Sequence, residues 1–175
     1  MFSLLPPVPP WEGLHPIVVH LPIGILLVVP LLIVLGLLFK QHSRGFFYSA
    51  MALMIVGTMG AYIAYFSGEA TAQVAERPED AMTDTVKMDT INKAIENHAE
   101  FAEKVLIAFT LLSIIYVVIL YLPMFMGKVL TPQWIWGMQI LFLLLYGIGC
   151  LILAKTGHLG GVLVHYYGLK APLNM

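Results

Sequence analysis

Long apolar runs alternate with short polar turns along this chain. Four windows, 17–39, 46–66, 105–126 and 134–154, each approach the roughly 20 apolar residues needed to cross a hydrocarbon core of about 30 Å. The polar stretch Lys40-Gln41-His42-Ser43-Arg44 is short enough to make the first two windows antiparallel neighbours, and a turn through Lys128 and Pro132 does the same for the last two. Only residues 67–104, punctuated by Gly68 and Pro78, form a long hydrophilic segment. Within it Ile91, Ile95, His98, Ala102 and Val105 recur at helical spacing, while Lys93, Glu96, Glu100, Glu103 and Lys104 mostly fall elsewhere on the wheel. The third span is therefore predicted to start as an amphipathic helix outside the bilayer, with His98 on its apolar stripe. The whole pattern predicts an all-α, up-down-up-down bundle of four transmembrane helices, with residues 1–175 as one domain.

Prolines and glycines refine these elements. Pro6, Pro7, Pro9 and Pro10 followed by Trp11 read as an extended lead-in with an interfacial anchor. Pro16 suits a first helical turn, whereas Pro22 and Pro30 should bend the first span. The carbonyls they free must find partners within the protein, because lipid offers none. In the second span Gly57, Gly60, Ala61, Ala64 and Gly68 give small-residue pairs at 57/61, 60/64 and 64/68, a helix-packing face. After the fourth span, Gly157, Gly160, Gly161 and Gly168 predict that a continuous helix ends near His158.

Composition narrows the class. With 59% hydrophobic residues, 11% charged residues and a mean hydropathy of +0.87, the chain is not a soluble globule. Residues 1–13 carry no Lys or Arg, so the first span is expected to be retained and not cleaved as a signal peptide. The single cysteine, Cys150, excludes an internal disulfide, a Cys-based zinc site and covalent haem attachment through C-x-x-C-H. No nucleotide loop, Ser-His-Asp set or basic nucleic-acid patch is present. The turns at 40–45 and 127–133 carry Lys40, Arg44 and Lys128 and no acid, whereas all ten acids lie on the other face. The positive-inside rule then places both termini and the 67–104 segment in the periplasm of a bacterial inner membrane.

Five of the six histidines gather on that outer face. Counting from the opposite edge of each span, His15, His98 and His158 all stand at roughly 36 Å, and His20 lies about 7–8 Å deeper. His165 lies beyond or folds back, and only His42 is elsewhere. An intramembrane ionisable side chain is a functional-site hypothesis by default. Neutral imidazole offers a lone pair that suits iron, copper or zinc. The His15/His20 spacing of five is a poor chelate from one helix, so ligands shared between helices are expected. Glu96, Glu100 and Glu103 are read as a solvated helix face, and Trp134, Trp136, Tyr116 and Tyr121 as interfacial aromatics.

The opening His15-Pro16-x-x-x-His20-x-Pro22-Ile23-Gly24 and the closing Thr156-Gly157-His158-Leu159-Gly160-Gly161-x-Leu163-Val164 resemble a bacterial four-span family catalogued as domain of unknown function 2231. The resemblance covers roughly residues 14–168. The family pattern has a Tyr after Leu-Val and a His two residues later. Here His165 and Tyr167 are exchanged, so the resemblance gives His165 no fixed role. Members of that family often accompany cytochromes, which implies redox work. The expectation is an electron-carrier subunit, not catalytic alone, binding one or two b-type haems near the periplasmic face. The haem iron would be held by His98 with His20, His15 or His158, and two haems would require four of the five outer histidines, His165 included among the candidates. Its partners would be lipid, other membrane subunits, and a periplasmic c-type cytochrome or quinone. The alternatives are a cofactor-free scaffold subunit, or a periplasmic copper or zinc site on the same histidines.

Overall fold

The computed structural model of the chain describes residues 10–78, 82, 84–126 and 131–171. The expectations placed on Pro6, Pro7, Pro9 and Lys128 lie outside those residues. The first span is split into α1 (His15–Val18) and α2 (His20–Leu38). It is followed by α3 (Ser43–Val74), α4 (Thr85–Met126) and α5 (Pro132–His165). Each span packs against its neighbour in sequence, and α2 closes the ring against α5. The result is the expected all-α, up-down-up-down bundle. Each of the four spans is long and apolar enough to cross a membrane. Outward-facing residues such as Leu144 (67% exposed) and Leu151 (72%) suit lipid and not water.

The helices run beyond the apolar windows, and one expected helix end is corrected. First, α3 continues through Gly68 to Val74 and α4 begins at Thr85, so most of 67–104 is helix. At 42 residues, α4 is about 60 Å long, roughly twice the hydrocarbon thickness. Second, α5 does not stop near His158 but runs to His165. A glycine costs a helix only about 1 kcal/mol, and close packing against neighbouring helices offsets it. The chain turns only at Gly168, whose φ of +68° an L side chain would resist. It then runs back beside Glu76, where paired backbone hydrogen bonds of 3.0 and 3.2 Å link Glu76 to Lys170.

The two inner prolines act as their chemistry requires. Pro22 has no N–H to offer the Val18 carbonyl, and the helix is interrupted at Val19. Pro30 likewise frees the Leu26 carbonyl, which accepts the Tyr146 hydroxyl at 2.8 Å. Tyr146 thus ties the fourth span to the one carbonyl that Pro30 leaves open.

Association in lipid depends on close packing and interhelical hydrogen bonds. A Cβ at Gly57 would lie 2.7 Å from Leu26 Cδ2, and Ala61 and Ala64 are buried on the same stripe. The small-residue face of the second span therefore meets the first span. Thr58 with Ser113, and Tyr62 with Thr110, are hydrogen-bonded at 3.1 Å and join α3 to α4. Through the middle of the bundle, Phe109, Tyr116, Phe142 and Tyr146 are wholly buried, so Tyr116 is a core residue and not the interfacial aromatic expected. A small second cluster lies beyond, where Ile91 and Ile95 of the α4 extension pack on Leu169. The Ile91 stripe expected to be apolar is buried, against the segment that follows α5.

Candidate functional site

His15 of α1 and His98 of α4 come from spans that face each other across the bundle axis. Their ring centres are 6.4 Å apart, with ring planes at 78°. The other two spans orient them. His15 Nδ1 donates to the Ala64 carbonyl of α3 at 2.7 Å, and His98 Nδ1 donates to the Thr156 carbonyl of α5 at 3.1 Å. A carbonyl can only accept, so the proton of each ring sits on Nδ1 and Nε2 keeps its lone pair.

One turn beyond each carbonyl stands a glycine that faces the same ring. A Cβ at Gly68 would lie 2.9 Å from His15 Cε1, and one at Gly160 would lie 3.1 Å from His98 Cε1. The device is used twice: a carbonyl at one position holds the imidazole, and a glycine four residues on makes room for it. Buried Ser67 donates to the same Ala64 carbonyl at 3.0 Å and braces the first copy. Thr156 donates its own hydroxyl to Ile152 at 2.9 Å, fixing the turn that holds the second.

The two rings stand between two cavities, and both line each of them. The inner cavity, about 440 Å³, reaches into the bundle along Pro22, Ile23, Leu106 and Leu153. Gly157 and Gly161 supply part of its wall, with nothing within 4 Å of where their Cβ atoms would be. The outer cavity, about 460 Å³, is rimmed by Glu69, Thr71, Gln73 and Lys170.

The remaining histidines fall at different places. His20 is exposed and lines the inner cavity, its Nδ1 donating to the Pro16 carbonyl at 2.8 Å. His165, also exposed, lines that cavity from α5. His158 is exposed and lines neither cavity, because it lies on the outer side of α5. Its matching depth was a true coincidence of level but not of direction. His42 lies at the opposite end of the bundle, beside Lys40 and Arg44. Sequence reasoning missed Ala64, Gly68, Thr156 and Gly160 as parts of the site. The signal was present in the 64/68 small-residue pair and in the Thr156 and Gly160 positions of the closing motif.

The fold and site define a four-span helical membrane protein with a pair of oriented imidazoles on its axis. Over residues 12–172 the chain matches the family described as "Predicted membrane protein (DUF2231)", and it belongs to that family. No curated protein and no solved structure matches it.

Proposed function

We propose that this chain is a membrane electron-transfer subunit that holds one b-type haem between His15 and His98. The observation that carries this reading is the double cradle. Both imidazoles are fixed through Nδ1 on backbone carbonyls with their Nε2 lone pairs free, the outer-shell arrangement that orients metal-bound histidines. Imidazoles on opposite sides of one metal, with metal–nitrogen distances of about 2.0–2.1 Å, place their ring centres roughly 6 Å apart. The 6.4 Å separation is of that size.

The donor set points the same way. Among the described residues, no three or more His, Cys, Asp or Glu side chains gather closely enough to hold a metal ion. A pair of imidazoles suits a metal that brings its own equatorial ligands, as a tetrapyrrole does. The bare helix wall at Gly157 and Gly161 leaves space for a flat ring. When bound, the haem supplies a one-electron iron couple. His15 and His98 would bind and orient it, the Ala64 and Thr156 carbonyls would hold their tautomers, and the apolar side chains of the inner cavity would cover one edge of it.

In this reading the site lies near the periplasmic face of a bacterial inner membrane, both termini are periplasmic, and the subunit works within a larger redox complex. Electrons would pass to or from a periplasmic c-type cytochrome or a membrane quinone. The acid-free basic turn at Lys40 and Arg44 supports the orientation. A cysteine at Arg44 should resist an impermeant thiol reagent in intact cells and one at Glu96 should react; the reverse pattern would invert the topology.

The cofactor itself is tested by the absorption spectrum of protein purified from cells supplied with ample haem. A Soret band that shifts and sharpens on dithionite reduction is expected. A colourless protein would leave the scaffold reading, and bound copper or zinc in a metal assay would favour a metal site instead.

A further inference from the structure

The two cavities that meet at His15 and His98 are chemically unlike, and that difference fixes which way a planar ligand would lie. Rings bound to opposite faces of a flat group hold it across the line joining them, so the group must extend into both cavities. The inner one is walled mainly by apolar side chains, among them Ile23, Leu106 and Leu153, with His20 and His165 at its exposed edge. The outer one has a polar rim, in which Lys170 is the only lysine or arginine among the described lining residues.

Lys170 is held there by its backbone and not by its side chain. Its N–H and carbonyl pair with Glu76 at 3.2 and 3.0 Å, and the preceding Leu169 is buried against Ile91. The ammonium therefore starts from a fixed root. Glu69, the one acid among the described lining residues of that cavity, lies one turn along α3 from Tyr65, which lines it too. A carboxylate entering the outer cavity would thus meet an exposed lysine with a fixed backbone root and no side-chain ion pair to any described residue, and Glu69 as the acid that competes for it.

We infer that Lys170 is the counter-ion for the two carboxylates of the tetrapyrrole, which therefore lies with its propionate edge in the outer cavity and its apolar edge in the inner one. The inference rests on the haem reading and adds an orientation and a positioning residue to it. Apolar vinyl and methyl groups belong in the inner cavity, where Ile23, Leu106 and Leu153 would cover them and no lysine or arginine stands among the described lining residues to pair with a propionate.

The test compares binding of haem b with binding of its dimethyl ester, in which both carboxylates are neutral, to the full chain in detergent micelles. The wild type should prefer the diacid by about fivefold, the size of a favourable solvent-accessible ion pair. Lys170→Gln should abolish the preference, while leaving the Glu76 backbone pairing intact, and Lys170→Arg should keep it. Glu69→Gln should enlarge it, which a merely structural role for the rim would not produce. Equal binding of both forms by the wild type, or a preference that survives Lys170→Gln, would overturn the orientation and leave the haem reading standing. Binding of neither form would overturn both.

Discussion

Two lengths of the same four-helix bundle solve the problem of their axis in opposite ways. Around Phe109, Tyr116, Phe142 and Tyr146 the axis is filled with aromatic rings, and all four are wholly buried. Around His15 and His98 it is hollow, with cavities of about 440 and 460 Å³ on either side of the pair. Tyr116 and His98 share one helix, 18 residues or about 27 Å apart. Lipid drives neither arrangement, since it is as apolar as the helices. The difference lies in the partners: aromatic rings stack on each other at 4.6 to 5.8 Å, whereas the histidines face glycines and carbonyls. A packed axis makes the bundle one body, and the open length leaves space beside the two imidazoles.

The largest effect should come from closing the hollow region. Gly68→Leu puts a side chain where a Cβ alone would already stand 2.9 Å from His15, so the imidazole must leave its carbonyl. Loss of bound haem, read from the Soret absorbance per protein, is expected. Gly147→Leu, at an exposed position of α5 with nothing within 4 Å, should leave it unchanged. Equal haem content in the two variants would mean that the glycine notch does not matter.

Within the filled region the two buried tyrosines make a sharper comparison. Tyr146 donates to the Leu26 carbonyl that Pro30 leaves open, so Tyr146→Phe should cost about 1–2 kcal/mol by stranding it. The Tyr116 hydroxyl is buried with no hydrogen-bond partner among the described residues. Tyr116→Phe removes an unsatisfied group and should be neutral or stabilising by up to about 1 kcal/mol. Thermal unfolding followed by circular dichroism in detergent distinguishes the two. If both variants lose stability alike, the Pro30–Tyr146 account fails.

Smaller still is the effect expected outside both regions. His158 lies at the right depth but is exposed and lines neither cavity. His158→Ala should therefore leave haem content and spectrum as in the wild type, and a spectral change would return His158 to the ligand set.

The bundle was legible in the sequence because lipid demands long apolar runs and the turns between them are short. That Pro30 would free the Leu26 carbonyl could be anticipated, since proline's missing N–H follows from covalent chemistry, but the donor Tyr146 lies 120 positions from Leu26 and only packing reveals it. Histidine depth could be counted along each span, yet rotation about the helix axis could not. That is why His98 and His158 looked equivalent and point to different places. The glycines of α5 were misread for a related reason. Local propensity weighs them as helix breakers, whereas the ring of His98 seated 3.1 Å from a Gly160 Cβ shows that one of them is a contact surface.

If His15 and His98 are the two ligands of a bound haem iron, electron paramagnetic resonance of the oxidised protein will report it. Two imidazoles on one ferric haem give a low-spin signal, and ring planes close to perpendicular, as the 78° angle describes, give a strongly anisotropic one. The account predicts that signal in the wild type, and its replacement by a high-spin signal, or loss of haem, in both His15→Ala and His98→Ala. A wild-type haem that is high-spin, or a low-spin signal that persists unchanged in either variant, would contradict it.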